Sequence, residues 1–341
     1  MVLGDDATLH STILRLLEGQ VEADRAKALL HTLAIDPRLL TETASVSRAQ
    51  LAMALNMLLF GDLLERVPTA ARIVADDHAA GRKILFDHGA LRTVDAPLGA
   101  FPSGHVAFAR LLEPLGYRVD ALYPLPKLNM TGRAYVHRDL PEAIPQFFVS
   151  ELHVERLHPD AQNAALRVFD DTMDVLDAQA AQSLAQLDED GSLPFARAGA
   201  LLAVLVAAFG RHHPEPALAD YETLLLHSKE AAWIATEGHA FNHATTRVPD
   251  VEALAERLKA QNYPMKDAVE VSANGRVRQT AILADKVARG FRGADGRRVQ
   301  REVPGSFYEF ISRHVDPETG TLDLTFDSGN ATGIFAVTRS A

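Results

Sequence analysis

The sequence predicts an α+β protein: a duplicated βαβββ unit that curls into a barrel, with helices ahead of the first copy and inserted between the two. Three observations point there. Strand and helix signals follow the same order in two separated stretches of the chain. A short residue pattern recurs at the same place in each stretch. The remainder is helical in texture. At 341 residues the chain also exceeds the roughly 250–300 at which a single core stops growing, so two packed units with added helices are expected.

Residues 1–80 read as a helical segment. Ile13, Leu16 and Leu17, then Ala28, Leu29, Leu30 and Leu33, recur at helical spacing. Ser47 and Gln50 form a capping pair for a helix over residues 47–64. The first βαβββ unit is placed at 81–158. It has strands near 83–94, 117–122, 133–136 and 146–153, and a helix over 103–115. Residues 159–235 are Ala- and Leu-rich and read as a helical insertion. The second unit covers 236–341, with a first strand at 239–248 and an amphipathic helix at 250–261. Later strands fall at 268–272, 277–283, 306–313, 322–326 and 333–337, with an Asn274-Gly275 hairpin turn between two of them.

The repeat is visible in the residues. Phe86-Asp87-His88 with Arg92 matches Phe241-Asn242-His243 with Arg247, each on the first strand of its unit. Such self-similarity fixes an architecture before any other signal does. If both strands face a shared cavity, two imidazoles meet there. In residues 306–313, period-two alternation sets Phe307, Glu309 and Ile311 on one face. A carboxylate between apolar neighbours is costly to bury unless a cation neutralises it. His88, His243 and Glu309 then make two imidazoles and one carboxylate, the ligand type of non-haem Fe(II), with another divalent metal possible. Glu151 and Glu302 are rival carboxylates; Glu302, just before Pro304-Gly305, is expected in a turn. His239 competes with His243. The plain alternative for any of them is a hydrogen-bonded core residue or an ion-pair partner.

Arg92 shares a strand face with His88, its α-carbon about 13 Å away at about 3.3 Å per residue. A short dicarboxylate could span metal and guanidinium, whose planar fork suits a carboxylate. An ion pair with Asp87 or Asp95 is the alternative, and Arg247 is equally eligible by pattern.

Composition removes whole classes of function. The formal charge is −11, against the basic face that nucleic-acid binding needs. Cysteine is absent, which excludes disulfides, thiolate catalysis and Cys-held metals. No apolar run reaches the about 20 residues of a membrane span, and the acidic N-terminus is unlike a signal peptide. A cytoplasmic location is expected. There is no phosphate-binding glycine loop, nucleophile elbow or His-Glu-x-x-His helix.

The motifs Asp87-His-Gly-Ala-Leu-Arg92, Phe241-Asn-His243 with Thr246-Arg247, Pro304-Gly-Ser-Phe-Tyr-Glu-Phe310 and Ala331-Thr-Gly-Ile-Phe335 together resemble the DUF1338 family. It belongs to the glyoxalase-like (vicinal oxygen chelate) group and includes 2-oxoadipate dioxygenase/decarboxylases. The resemblance runs from about residue 80 onward. It implies that His88, His243 and Glu309 hold Fe(II), and that Arg92 meets the distal carboxylate of a 2-oxo dicarboxylic acid. Gly329 and Asn330 fall where a characterised member has Val-Ser against its substrate, a departure that bears on which 2-oxo acid is taken. The implied reaction converts 2-oxoadipate and O2 to 2-hydroxyglutarate and CO2, a step of lysine catabolism. Two other classes stand beside it: an isomerase, lyase or hydrolase using a different metal on the same fold, and a non-catalytic small-molecule binding protein.

Overall fold

The structure, a computed structural model, describes residues 10–327 and 329. Its centre is an eight-stranded sheet curled into a half-barrel. From the first unit come β1 (Phe86–Asp95), β2 (Tyr117–Leu125), β3 (Met130–His137) and β4 (Gln146–His153). The second contributes β5 (His243–Arg247), β6 (Glu270–Val271), β7 (Val277–Ala281) and, after the separate hairpin β8 (Lys286–Arg292) and β9 (Arg298–Pro304), β10 (Phe307–Arg313). The order across the sheet is β2-β3-β4-β1-β5-β10-β7-β6. Each half therefore runs outward from its first strand in the same sequence, and the halves meet at the antiparallel β1–β5 pair. Within each half the first and last strands pair in parallel, β1 with β4 and β5 with β10. A crossover helix makes that parallel pairing possible: α5 (Val106–Leu112) in the first half, α11 (Val251–Ala260) in the second.

The helices before and between the units pack onto the sheet in one core. The first four are α1 (Thr12–Glu18), α2 (Ala23–Thr32), α3 (Arg48–Arg66) and α4 (Pro68–Ala79). Helix α3 begins with the Ser47/Gln50 capping box and sets Phe60 against Phe86 and Tyr308, ring centroids 5.1 and 6.2 Å apart. The insertion supplies α6 (Pro159–Phe169), α7 (Ala178–Asp190), α8 (Phe195–Ala208), α9 (Leu218–His227) and α10 (Lys229–Glu237). Trp233 of α10 donates its indole N–H to Gly305 O at 3.0 Å, tying the insertion to the turn that enters β10.

Several expectations need correction. Hairpin β8–β9 has no strong alternation and is largely exposed, so periodicity missed it. Glu302 lies within β9, exposed, rather than in a turn. Residues 322–326 are not a strand: after an isolated bridge of Leu322 with Val315 and a bond from the Asp323 N–H to His314 O, their backbone groups bond to side chains of Arg313, Gln146 and Tyr123 instead of a ladder. The strand expected at 239–248 starts only at His243, because α10 runs to Glu237 and turns at Gly238 (φ 64). The helix expected over 103–115 shortens to α5. Residues 333–337 lie outside those described.

The two repeats lock together at Gly89. A Cβ there would lie 2.1 Å from Cζ of Phe241, the aromatic that opens the second repeat. Only glycine admits that ring beside His88. Gly89→Ala should therefore destabilise the fold by about 1–3 kcal/mol through overpacking, read as a lower urea midpoint with an unchanged slope.

Candidate metal centre

The register of the central strands decides which side chains meet. Across β1–β5, His88 pairs with Thr245 and Ala90 with His243. Across β5–β10, Thr245 pairs with Glu309. His88, His243 and Glu309 thus share the concave face, and one ligand atom from each lies within 4.8 Å of the others. They are 3, 5 and 2% exposed. Glu309 Oε2 is 3.2 Å from His243 Nε2 and 3.5 Å from His88 Nε2. The Thr245 hydroxyl donates to the same oxygen at 2.5 Å and lies 3.1 Å from His88 Nε2.

The outward ring nitrogens are fixed by the preceding residues. His88 donates from Nδ1 to Asp87 Oδ1, and His243 from Nδ1 to Asn242 Oδ1, both at 2.8 Å. Each Nε2 then turns inward, the arrangement that orients ligating histidines. A register shift between Phe86 and His88 re-aims Asp87 as bulges do, so that it also takes a two-pronged bond from Arg313 at 2.8–3.1 Å. Burial alone raises the Asp87 carboxyl, but Arg313 and His88 outweigh it and hold it well below the usual carboxylate range. Burial likewise opposes ionised Glu309, and the two imidazoles overcome it. The histidines diverge. Burial depresses both; Asp87 and Glu309 raise His88 overall, whereas His243 stays lowered, with His88 and Arg92 adding to the burial effect.

The duplication shows what stands opposite Glu309. His243 pairs with Phe307 and Thr245 with Glu309; in the first unit His88 pairs with Gln146 and Ala90 with Phe148. Phe148 therefore occupies the position equivalent to Glu309. It lines the cavity with His88, His243, Glu309, Gln279, Phe326 and neighbours. One side of the carboxylate set is thus replaced by an apolar ring, leaving room beside the donors.

Other candidates lie elsewhere. Glu151 is on the opposite face of β4, bonded to the His105 N–H at 2.8 Å and to Arg133 at 2.6 Å. His239 stacks on Phe101 with centroids 4.7 Å apart and donates from Nδ1 to Arg92 O at 2.9 Å; burial pushes it down to about 4. Arg247 is half-buried in a separate groove with Lys83 and Asp250. Arg92 is 1% exposed, its guanidinium 4.8 Å from the Trp233 ring centroid, behind the residues that line the cavity. Asp87 and Asp95, its suggested partners, bond to Arg313 and to His153. Gly329 is exposed, and Asn330 lies outside the described residues. Sequence reasoning did not single out Thr245, Phe148 or Phe326, and it offers Arg313 only as an ion-pair partner for Glu309, whereas Arg313 pairs with Asp87. Asp87 and Asn242 stood in the repeat, but only the histidines were read as chemical.

The donor set fits a divalent metal. Two Nε2 atoms and a buried carboxylate oxygen converge on one point, the donor types that such ions take. Two further groups, Asp95/His153/Glu155 and His158/Asp160/His227, are partly exposed and already serve turn and strand-end contacts.

Duplicated βαβββ halves around a buried His/His/Glu set define a protein of the glyoxalase class. A solved structure from Ralstonia eutropha JMP134, assigned to the glyoxalase superfamily, is 50% identical, with TM-score 0.89, covering 93% of this chain and 98% of that one. Within the class, the family model described as 2-oxoadipate dioxygenase/decarboxylase matches residues 58–320, and the chain belongs to that family. A relative from Oryza sativa subsp. japonica, named 2-oxoadipate dioxygenase/decarboxylase, chloroplastic/amyloplastic, is 26% identical over 306 residues, 81% of this chain and 76% of the relative. The hydroxyglutarate synthase of Oryza sativa, solved in complex with 2-oxoadipate, shares the fold at 20% identity and TM-score 0.68, covering 87% of this chain and 96% of that one. Among the described residues, no helix is long and apolar enough to cross a membrane.

If the triad holds the metal, Glu309→Ala should lose it while Glu151→Ala keeps it, both remaining folded. Elemental analysis of the two purified variants decides the matter. Stoichiometric metal in Glu309→Ala removes that residue from the ligand set.

Proposed function

We propose that the protein is an Fe(II)-dependent dioxygenase/decarboxylase that converts a 2-oxo dicarboxylic acid, 2-oxoadipate, with O2 to 2-hydroxyglutarate and CO2. The observation that carries this is the buried set of His88, His243 and Glu309 with Phe148 in place of a second carboxylate. These three residues would hold Fe(II) by a ligand set that leaves room for a chelating 2-oxo acid and O2. When bound, the metal supplies Lewis-acid and redox chemistry.

The remaining work belongs to the chain. Asp87 and Asn242 hold the imidazoles as Nδ1–H tautomers, so that Nε2 is free to ligate. Thr245 holds Glu309 Oε2 and fixes which carboxylate oxygen turns to the histidines. Phe148, Phe326, Ala90 and Leu91 keep water from the open side. Gln279 and Ser150 offer polar contacts to a bound acid. Arg92 lies on the His88 face of β1, and its charge is felt at His243. These two observations support reading it as the cation that receives the distal carboxylate. The Trp233 ring, its centroid 4.8 Å from the guanidinium carbon, holds the plane of that fork.

Anaerobic reconstitution with Fe(II), Zn(II), Mn(II) or Ni(II), followed by O2 uptake with 2-oxoadipate, separates this reading from a glyoxalase-like isomerase, lyase or hydrolase. Uptake matched by CO2 release with Fe(II) alone is expected; turnover without O2 contradicts it.

Specificity rests on Arg92. Losing a charge-assisted bond to a desolvated carboxylate costs about 2–5 kcal/mol, about thirtyfold to several thousandfold in kcat/KM. Arg92→Ala should lose that much with 2-oxoadipate and far less with a monocarboxylic 2-oxo acid of equal length. Arg92→Lys should recover part of it. An unchanged ratio between the two substrates excludes Arg92 from the substrate site.

A further inference from the structure

The cavity beside the triad is small. Its volume is about 20 Å³, where a single water needs about 10–15 Å³, so no six-carbon acid fits. The residues closing it belong to no sheet. Residues 323–327 cross the concave face, with Phe326 and Asp327 in the cavity wall. The Phe326 ring sits 4.8 Å from the His88 ring, edge-on, and 5.0 Å from Phe148.

One side chain holds most of this segment. Arg313, with its side chain 0% exposed, gives Nε and Nη2 to Asp87. Nη2 also reaches Gln146 Oε1 at 3.2 Å. Nη1 donates to Thr325 O at 2.7 Å and Asp323 O at 3.3 Å. The guanidinium carbon lies 4.7 Å from the Phe326 ring centroid. Two weaker ties complete the seat: Gln146 Nε2 donates to Leu324 O at 3.2 Å, and the Phe326 N–H donates to the Tyr123 hydroxyl at 2.9 Å.

We propose that residues 323–327 are a movable cover over the triad, and that Arg313 is the positioning residue that latches it and ties its position to His88 through Asp87. The cover half stands on packing alone; the link to His88 rests on the metal reading given above. Lifting the segment breaks one backbone–backbone bond, from the Asp323 N–H to His314 O at 2.9 Å, side-chain bonds to four backbone groups, and the contacts of the Phe326 ring with His88, Tyr123, Phe148 and Arg313. Segments held this way open at low cost. Opening also strips Nη1 and one face of the Arg313 guanidinium of their partners and admits water to the Asp87 pair. The backing of His88 is therefore firmest when the cover is shut. A 2-oxo acid then enters an open site and reacts in a closed one.

The test uses the full-length protein loaded with Zn(II), which is redox-inert. Hydrogen exchange at residues 324–327 is followed with and without 2-oxoadipate, and Zn(II) affinity by competition with a chelator. In wild type these amides should exchange faster than those of β10. Tyr123→Phe, which removes one tie, should speed them about tenfold and leave Zn(II) affinity unchanged. Arg313→Gln should speed them at least as much and also weaken Zn(II) about ten- to a hundredfold, as loss of a ligand's backing does; Arg313→Lys should regain part of that affinity. Exchange unaltered by both Tyr123→Phe and Arg313→Gln overturns the cover. Equal losses of Zn(II) affinity in both overturn the specific link through Asp87. Should Arg313→Gln fail to fold, Tyr123→Phe and Phe326→Ala decide the cover by exchange alone. A wild type that takes up no Zn(II) defeats the metal reading and the link with it, while the exchange result still judges the cover.

Discussion

The site depends on keeping one carboxylate ionised where water cannot reach it. Glu309 is 2% exposed and lies between two imidazoles. Burying an isolated carboxylate costs far more than a fold can spare unless charges or hydrogen bonds compensate. The surroundings meet that demand in layers. Thr245 donates to Glu309, the histidines face it, and Asp87 and Asn242 hold the histidines. Asp87 is itself a buried charge, and Arg313 from the other half of the sheet balances it. Removing any one layer strands the next.

The duplication makes the asymmetry of these layers intelligible. By register, Glu309 corresponds to Phe148 and Arg313 to Leu152, while the repeat aligns Asn242 with Asp87. The charged pair Asp87–Arg313 thus has Asn242 and Leu152 at its mirrored positions: a neutral amide needs no guanidinium behind it. One half of the molecule carries the Glu309 carboxylate, and the other carries the Phe148 ring at the matching position. Both units keep the backbone that brings their first strands together at the antiparallel pair of His88 with Thr245 and Ala90 with His243.

Much of this was legible in the sequence because the side-chain period of a strand is two and the repeat fixes the phase. His88, His243 and Glu309 could be set on one face without coordinates. Glu151 looked like a rival because it lies on the strand equivalent to that of Glu309, but it stands three residues beyond Phe148, an odd offset that turns it to the outer face, toward His105 and Arg133. Hairpin β8–β9 escaped because an exposed ladder leaves no apolar alternation. Residues 322–326 read as a strand because Leu322, Leu324 and Phe326 alternate with Asp323 and Thr325; whether a ladder or a set of side chains receives the backbone bonds is a tertiary fact. The roles of Arg313 and Phe326 were hidden for the same reason, since their partners lie on other strands.

The central claim is that the first strands of two copies bring their histidines to one metal with Glu309. The most direct measurement is a crystal structure of the protein loaded anaerobically with Fe(II) and 2-oxoadipate. The account predicts iron bound by Nε2 of His88, Nε2 of His243 and an oxygen of Glu309, at about 2.0–2.2 Å as such donors bind transition metals. The 2-oxo acid should chelate on the Phe148 side. Iron held by Glu151 or His239, or a 2-oxo acid bound away from this cavity, would contradict it.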